Sequence, residues 1–213
     1  MLTILVTNPK GGCGKSTLAT NLAGAFALSG FQTVLADCDR QKSSLTWIKQ
    51  RPDKYPPITG MDWTKKVGKV PDGTRRLVVD APAAVRRTEV RDLVRSADVI
   101  LIPVLPSLFD EQTTRKFLGV LDKLKPIRNN KRAVALVGNR IKARTTASRH
   151  LEEFLAGLNQ DVVSLIRDTQ LYPTAAAGGL SIFDMAPSRA ERYAEEWRPL
   201  LRLISNAAFQ RDR

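Results

Sequence analysis

A glycine-rich stretch near the amino terminus, Lys10–Thr17, constrains this chain more than any other part of its sequence. It reads Lys-Gly-Gly-Cys-Gly-Lys-Ser-Thr, follows the apolar run Leu2–Val6 and precedes a helical pattern that extends to Leu28. A strand, a glycine turn and a helix form the context in which backbone N–H groups converge on one anion. The residues predicted to bind phosphate are Gly11, Gly12, Cys13, Gly14, Lys15, Ser16 and Thr17.

The loop lacks one glycine of the common pattern G-x-x-x-x-G-K-[ST], because Pro9 stands at its first position. The variant K-G-G-x-G-K-[ST] fits instead and begins with Lys10. In a loop of this kind, Lys15 reaches the β- and γ-phosphates and the Ser16 hydroxyl binds Mg²⁺. An ordinary glycine turn is the alternative, but so complete a pattern is rare by chance in 213 residues.

The chain is strongly basic, with a formal net charge of +13. A nucleotide site alone does not require this surplus, so DNA, RNA and anionic lipid are candidate partners, with simple solubility as the alternative. No apolar run is long enough to span a membrane, and we expect no signal peptide. Cys13 and Cys38 are too few for a disulfide framework and are expected as thiols in a reducing cytoplasm.

Short apolar segments rich in β-branched residues alternate with helical patterns. This alternation predicts an α/β fold, a mostly parallel twisted sheet with helices on both faces. The predicted strands are Leu2–Thr7, Thr33–Ala36, Leu77–Val79, Val99–Pro103, Ala133–Gly138 and Val162–Ile166. The predicted helices are Ser16–Leu28, Ser43–Gln50, Glu89–Ser96, Glu111–Leu124, Thr146–Leu158 and Arg189–Ala208.

The segment Arg51–Gly73 is less regular and contains four prolines. We expect a short helix near Trp63 within it. No linker or internal repeat divides the chain, so residues 1–213 are expected to form one domain. Because the first strand is predicted to start at Leu2, we expect no separate DNA-reading domain before it.

Acidic residues follow two of the predicted strands, at the sheet edge where ligands bind in parallel sheets. An apolar strand that ends in Asp80 is the Walker-B arrangement, which places a carboxylate beside Mg²⁺. After the second strand, Asp39 is the better candidate to orient water at the γ-phosphate and to reach Mg²⁺ through water, and Asp37 is expected behind it. A turn or helix-cap role is the alternative for all three acids.

Two polar residues, Asn139 and Arg140, end a further strand and are predicted to bind the nucleotide. A side-chain amide at this position can hydrogen-bond adenine, although asparagine is also a common turn residue. The single histidine, His150, is expected on the surface of a helix without a catalytic part.

Three motifs occur in order along the chain: Lys10–Ser16, Asp37-x-Asp39-x-Gln41 and Val78-Val-Asp80-x-Pro82. Together they resemble the ParA/MinD family of deviant-Walker ATPases, above all its short ParA proteins without an N-terminal DNA-reading domain. The resemblance covers nearly the whole chain. It implies a P-loop fold, ATP and Mg²⁺ as cofactors, and Mg²⁺-dependent ATP hydrolysis. We expect this hydrolysis to be slow, because no side chain is an evident strong general base.

The resemblance also implies roles for individual residues. Lys10 would cross an ATP-dependent sandwich homodimer to contact the partner's phosphates, and Lys15 would act on its own nucleotide. Ser16 and Asp80 would serve Mg²⁺, and Asp39 would support hydrolysis.

The family's members position plasmids, chromosomes or large protein cargo. By resemblance, this chain would bind nonspecific double-stranded DNA in its ATP state. A ParB-like or cargo-adaptor partner would stimulate hydrolysis and thereby release it. Such a protein would be cytoplasmic and nucleoid-associated.

The chain departs from the family pattern at two places. Arg40 replaces the usual proline of Asp-x-Asp-Pro-Gln, and Ala81 and Ala83 alter the usual Asp-Thr-Pro-Pro. Neither change removes a predicted phosphate or metal ligand. Both suggest a sub-branch that serves protein cargo, such as a microcompartment or a chemoreceptor cluster.

Positive charge is concentrated in two runs without acidic residues, Lys123–Arg132 and Arg140–Arg144. A face that presents several basic residues twice in a dimer would follow DNA phosphates, and its binding would weaken steeply with salt. Each charge by itself also fits an ordinary solvated surface. The predicted DNA contacts are Lys142, Arg144, Arg167 and Arg202.

Two other functions stay open at this point. A MinD-like membrane switch would use the apolar and basic stretch Trp197–Ile204 as an interfacial helix, but these residues equally suit a last helix packed on the sheet. A phosphoryl-transfer synthetase on the same scaffold is the third hypothesis. An iron–sulfur reductase is not favoured, because Cys13 and Cys38 lie at the nucleotide site.

Overall fold

The computed structural model describes residues 1–83, 87–128, 132–158 and 160–211, without the side chains of residues 87–90, 126 and 128. Within these ranges, seven parallel strands form one sheet in the order β3-β2-β4-β1-β5-β6-β7. The strands are β1 (Leu2–Val6), β2 (Thr33–Asp37), β3 (Thr59–Asp62), β4 (Arg76–Asp80), β5 (Val99–Val104), β6 (Ala133–Ile141) and β7 (Asp161–Arg167).

Helices connect the strands and cover the sheet. They are α1 (Lys15–Leu28), α2 (Ser43–Gln50), α3 (Arg87–Ser96), α4 (Leu108–Leu121), α5 (Lys125–Arg128), α6 (Thr146–Ala156), α7 (Leu171–Ala177), α8 (Pro187–Ala194) and α9 (Arg198–Arg211). Short 3₁₀ turns lie at Ile182–Asp184 and Glu195–Trp197. The predicted α/β fold with helices on both faces is confirmed. In the described part of the chain, no helix is long and apolar enough to cross a bilayer.

The central strand β1 shows why this sheet needs two covered faces. All five of its residues are buried, and alternate side chains enter different cores. Ile4 belongs to the core that contains residues of α1 and α9, whereas Leu5 belongs to the core that contains residues of α3, α4 and α6. A parallel strand buried on both faces needs a continuous apolar sequence, which Leu2–Val6 supplies apart from Thr3.

The expected helix near Trp63 is wrong, because the chain forms the edge strand β3 just before that residue. β3 pairs with β2 in parallel, and the Trp63 N–H continues the ladder by donating to the Asp37 carbonyl at 2.9 Å. The sequence Thr-Gly-Met-Asp has no strong strand signal, so pairing with β2 overrides local propensity.

The C-terminal region also differs from the prediction. α7 was not predicted, and the single helix expected over Arg189–Ala208 is divided into α8, a 3₁₀ turn and α9. The division turns Trp197 inward, where it is fully buried and its indole N–H donates to the Tyr172 hydroxyl at 2.9 Å. Pro199 lies in the first turn of α9, where its missing N–H costs no helical hydrogen bond.

A buried ion pair fastens the end of α2 to the segment between α7 and α8. The Arg51 guanidinium donates to both carboxylate oxygens of Asp184 at 2.9 Å, and the two side chains are 4% and 0% exposed. Burial alone would raise the pKa of Asp184, but hydrogen bonds from Arg51 and Ser181 lower it below its ordinary value. The pair fixes two segments that lie beside α1.

We expect Asp184→Ala to lower the free energy of unfolding by about 3–5 kcal/mol, because it leaves the buried Arg51 charge without its partner. Urea denaturation measures this loss. Asp72→Ala is the matched control, since the Lys69–Asp72 pair is 86% and 94% exposed and its removal should change stability by less than about 0.5 kcal/mol. Equal losses in the two variants would contradict the role given to the buried pair.

Candidate functional site

The sheet register brings the predicted acids to the loop Lys10–Thr17, called the phosphate loop below. Val6 at the end of β1 pairs with Asp80 of β4, and Asp80 in turn pairs with Asp37 of β2. All these strands are parallel, so their carboxyl ends lie at one edge of the sheet. The convergence expected from the sequence is therefore present.

The phosphate loop curls tightly before α1 begins. Gly12 and Gly14 have φ angles of +75° and +96°, which side chains other than glycine rarely adopt. A Cβ atom on Gly14 would lie 2.1 Å from Nδ2 of Asn139. That amide donates a hydrogen bond to the Cys13 carbonyl at 2.8 Å, so Gly14 allows β6 to hold the loop from beneath.

Two donors inside the loop meet at the Lys10 carbonyl. The Lys15 ammonium donates to it at 3.0 Å and the Cys13 thiol at 3.2 Å. Burial raises the pKa of Cys13 above its ordinary value, so at neutral pH its sulfur is a protonated donor rather than a nucleophile. The Lys15 charge is thus already held within the loop where phosphate is expected.

Asp80 presents an unpaired carboxylate oxygen in the interior. Its Oδ2 accepts a hydrogen bond from the Ser44 hydroxyl at 2.7 Å, while its buried Oδ1 has no hydrogen-bond partner among the described residues. Burial raises the pKa of Asp80 to about 6, although Ser44, Ser16 and the Lys15 charge all act to lower it. A buried, unpaired carboxylate oxygen is costly and suits a hard cation.

The donor set fits Mg²⁺ bound together with a nucleotide. Among the described residues, no group of three or more His, Cys, Asp or Glu side chains could hold a metal ion by itself. Mg²⁺ needs no such cage, because it is usually bound by one or two protein oxygens, substrate phosphates and water. Asp80 and Ser16 are the protein oxygens that the site offers.

Asp37 and Asp39, at the end of β2, differ in burial and in the hydrogen bonds that they accept. Asp37 is fully buried and accepts the backbone N–H groups of Asp39, Ser44 and Leu45 at 2.9, 2.9 and 3.1 Å. Burial raises its pKa, while these hydrogen bonds act against the rise. Asp39 is partly exposed, and its Oδ1 accepts the Gln41 N–H at 3.0 Å. Asp37 therefore shapes the turn that presents Asp39.

Asn139 and Arg140 end up in different surroundings. Asn139 is 4% exposed and holds the phosphate loop, whereas Arg140 is exposed with a φ of +53°. Any contact of either side chain with a base stays a prediction.

Two site residues escaped the sequence analysis. Asn8 is fully buried, accepts the Lys10 N–H at 2.9 Å and donates to the Pro103 carbonyl at 2.8 Å. It thereby ties the start of the phosphate loop to the end of β5. Ser44, in the first turn of α2, holds Asp80. The signal for Asn8 was available, because it is a polar residue directly after a buried strand.

The predicted DNA contacts are only partly brought together. Lys142 and Asp168 approach to 3.7 Å where β6 and β7 end, and Arg144 follows Lys142 in an exposed loop. Arg167 forms an ion pair with Glu196 and lies over the Tyr193 ring. Arg202 is exposed on α9, and no described contact links it to the other three.

The basic run Lys123–Arg132 lies elsewhere. Its described residues, 123–128 and Arg132, come before β6 and therefore lie toward the amino-end edge of the sheet, opposite the phosphate loop. Within it, Arg132 donates to the Arg95 carbonyl at 3.1 Å. The side chain of Arg128 and all of Lys131 fall outside the described part of the chain.

Comparison with protein families matches residues 4–182 to the family described as the CobQ/CobB/MinD/ParA nucleotide binding domain. The chain belongs to this family. The match begins before the phosphate loop and extends into the 3₁₀ turn after α7. The resemblance to ParA/MinD proteins stated from the motifs is therefore confirmed.

Individual relatives agree with this assignment. The chain is 29% identical over 206 residues to the maintenance of carboxysome distribution protein A of Halothiobacillus neapolitanus, covering 93% of this chain and 94% of the relative. It is 27% identical over 210 residues to a protein of the same name from Gloeobacter kilaueensis, covering 92% and 90%.

Solved structures share the fold. A putative plasmid partition protein of Borrelia burgdorferi bound to AMPPNP superposes with a TM-score of 0.75 at 16% identity, covering 94% of this chain and 98% of that one. A variant of Cyanothece McdA in complex with ATP gives a TM-score of 0.70 at 14% identity, covering 97% and 96%.

We expect Gly14→Ala to abolish nucleotide binding, because the new methyl group would collide with Asn139 and φ would stay in the left-handed region. Titration with a fluorescent ATP analogue measures the loss. Gly119→Ala is the matched control on α4, where nothing lies within 4 Å of the added carbon. It should bind normally and gain up to about 1 kcal/mol of stability. Normal binding by Gly14→Ala would refute this account of the loop.

Proposed function

We propose that this protein is an ATPase that dimerises around ATP, binds DNA without sequence preference and positions a large cargo. The observation that carries the proposal is the joint geometry of the phosphate loop and Asp80. A buried lysine lies inside the loop, and an unpaired carboxylate oxygen lies at the adjacent strand end. Family membership supports the nucleotide part of the proposal.

The residues present suit phosphoryl transfer by positioning and charge neutralisation. The loop N–H groups would hold the phosphates, and the Lys15 ammonium would neutralise them. Ser16 and Asp80 would hold Mg²⁺, which supplies further positive charge at the phosphates when bound. Asp39 would orient the attacking water, since Asp37 fixes its turn. No strong general base is evident among these groups, so we expect slow hydrolysis.

Lys10 is proposed to act on a second copy. Its backbone is fixed by Asn8, while its side chain is only partly buried. It can therefore extend from the face that carries the loop toward a nucleotide on an opposing protomer. We expect Lys10→Ala to bind ATP but to lose ATP-dependent dimerisation.

The cargo is proposed from the relatives that match nearly end to end. Two of them are named for maintaining carboxysome distribution. We infer that the cargo is a protein compartment of this kind, and that an adaptor protein on it stimulates hydrolysis. The nucleoid in the cytoplasm would be the surface on which the cargo is moved.

A membrane surface is the less favoured support. Leu200 and Ile204 of α9 are 0% and 1% exposed, because they pack in the core beside α1. An interfacial helix would need these side chains for the lipid. The net charge of +13 then points to DNA as the polyanion.

DNA binding is expected to depend on the nucleotide. The protein should be retained on nonspecific double-stranded DNA with Mg²⁺ and ATP, but not with ADP or without nucleotide. Retention should weaken steeply with salt. Lys142→Ala combined with Arg144→Ala should make the log–log salt slope shallower by about 0.9 for each phosphate that is no longer neutralised. A salt series on immobilised DNA measures both effects.

The matched control for that experiment is Lys65→Ala with Lys66→Ala, which removes the same charge from an exposed loop beside β3. It should leave the salt slope unchanged. Equal retention in all three nucleotide states would refute the ATP-gated switch. Retention of the protein on anionic vesicles instead of DNA would favour the membrane alternative.

Nucleotide binding and hydrolysis should be separable by substitution. We expect Lys15→Ala to lose ATP binding, because it removes the ammonium that the Lys10 carbonyl holds within the loop. Asp39→Ala should keep ATP bound, lose turnover and accumulate as the dimer. Phosphate release and sedimentation measure the two properties. Rapid turnover by Asp39→Ala would exclude Asp39 as the residue that orients water.

A further inference from the structure

A cavity of about 720 Å³, called the α7–α8 cavity below, lies between α7 and α8 beyond the carboxyl end of β7. β7 is three strands away from β1, and no residue of the phosphate loop lines the cavity. Its volume is that of a typical small-molecule site, which occupies roughly 300–1,000 Å³. The cavity is therefore large enough for a ligand of its own.

Hydrogen-bond donors dominate the polar part of the cavity wall. Arg189 is exposed, and its guanidinium makes no hydrogen bond or ion pair with a described residue. The hydroxyl groups of Thr174 and Ser188 also have no described partner. Glu191 is the only carboxylate in the described wall, and its side chain is exposed. The wall thus offers unused donors to a ligand that is rich in acceptors.

The hydroxyl group of Tyr193 is a further donor, and it belongs to a buried residue. Tyr193 is 7% exposed, and its oxygen accepts a hydrogen bond from Arg192. Hydrogen bonds from Thr169 and Arg192 lower the pKa of Tyr193 below its ordinary value, because they stabilise its ionised form. The phenolic proton itself has no acceptor among the described residues. Buried donors normally have an acceptor, and an anion in the cavity would provide one.

Positive charge is in excess around the cavity. The guanidinium carbons of Arg167 and Arg192 lie 5.6 and 4.6 Å from the centre of the Tyr193 ring. Glu196, the acid beside them, already pairs with Arg167. α8 begins at the cavity wall with Pro187, and no side chain caps it, so the positive end of this helix adds to the potential. The cavity therefore favours a negatively charged ligand.

The shape of the cavity favours a free molecule over the backbone of DNA. Leu171 and Pro187 give the cavity an apolar part beside the donors, and small-molecule sites combine apolar lining with a few polar groups. A DNA backbone runs along a surface, where it meets protruding cations such as Lys142 and Arg144 in their exposed loop.

We propose that the α7–α8 cavity binds a small phosphorylated molecule. Its phosphoryl oxygens accept hydrogen bonds from Arg189 and Tyr193, and the rest of the molecule packs against Leu171 and Pro187. This site is separate from the nucleotide site of the proposed function. Failure of the one would therefore leave the other standing.

The test is isothermal titration calorimetry with tripolyphosphate, in a Lys15→Ala background that is expected to lose binding at the phosphate loop. We expect one tripolyphosphate to bind per chain. Arg189→Ala and Tyr193→Phe should each weaken this binding by at least about tenfold, because each removes a hydrogen bond to a charged group. Tyr193→Phe keeps the ring in the core, so it serves as the variant that preserves the fold.

Arg149→Ala is the matched control, since Arg149 is exposed on α6 and does not line the cavity. It removes the same charge as Arg189→Ala and should leave tripolyphosphate binding unchanged. A loss equal to that of Arg189→Ala would overturn the inference, because binding would then follow net charge alone. Absence of tripolyphosphate binding to the Lys15→Ala protein would also overturn it.

Two further measurements separate the cavity from the nucleotide site and from the DNA surface. Wild-type protein saturated with Mg²⁺ and AMPPNP should still bind one tripolyphosphate. Failure to do so would make the cavity part of the nucleotide site and overturn the inference. Arg189→Ala should leave the salt slope of DNA retention unchanged, and a shallower slope would assign Arg189 to the DNA surface and overturn the inference.

Discussion

The parallel pairing of β4 with both β1 and β2 is the constraint on which the site depends. It places Asp80 level with Val6 on one side and with Asp37 on the other, directly below the phosphate loop. The rest of the site is held by hydrogen bonds between residues that lie far apart in the sequence. Asn8 ties the start of the loop to the end of β5, and Asn139 holds the loop from β6. Ser44 donates to Asp80 from the first turn of α2, whose first N–H groups Asp37 accepts.

The sequence was sufficient where local pattern and tertiary structure agree. The strands of the central sheet are apolar enough to be recognised, and the loop and Asp80 follow them directly. The sequence was insufficient where strand pairing or another tertiary contact decides the secondary structure. β3 forms by pairing with the edge of β2, and the break before α9 accompanies the burial of Trp197 against Tyr172. Asn139 shows the same limit, because its partner Cys13 is 126 residues away.

Burial of Asp80 at the site lowers the stability of the fold when the carboxylate is charged. The pKa of Asp80 is raised from 3.8 to about 6, chiefly by burial, so the folded protein binds this proton more tightly than the unfolded chain does. The contribution of Asp80 to stability therefore falls as the pH rises between these two values. A cation at the unpaired oxygen would offset that loss, which links occupancy of the site to stability of the fold.

The buried thiol of Cys13 also offers a way to measure local unfolding of the phosphate loop. Its sulfur is inaccessible, its proton is engaged by the Lys10 carbonyl, and burial raises its pKa. A thiol in this condition reacts with an alkylating reagent only when the surrounding backbone opens. Its labelling rate would therefore report how often the loop unfolds locally. The phosphate loop therefore contains a native reporter of its own local opening, and no labelling site has to be introduced to measure the opening rate.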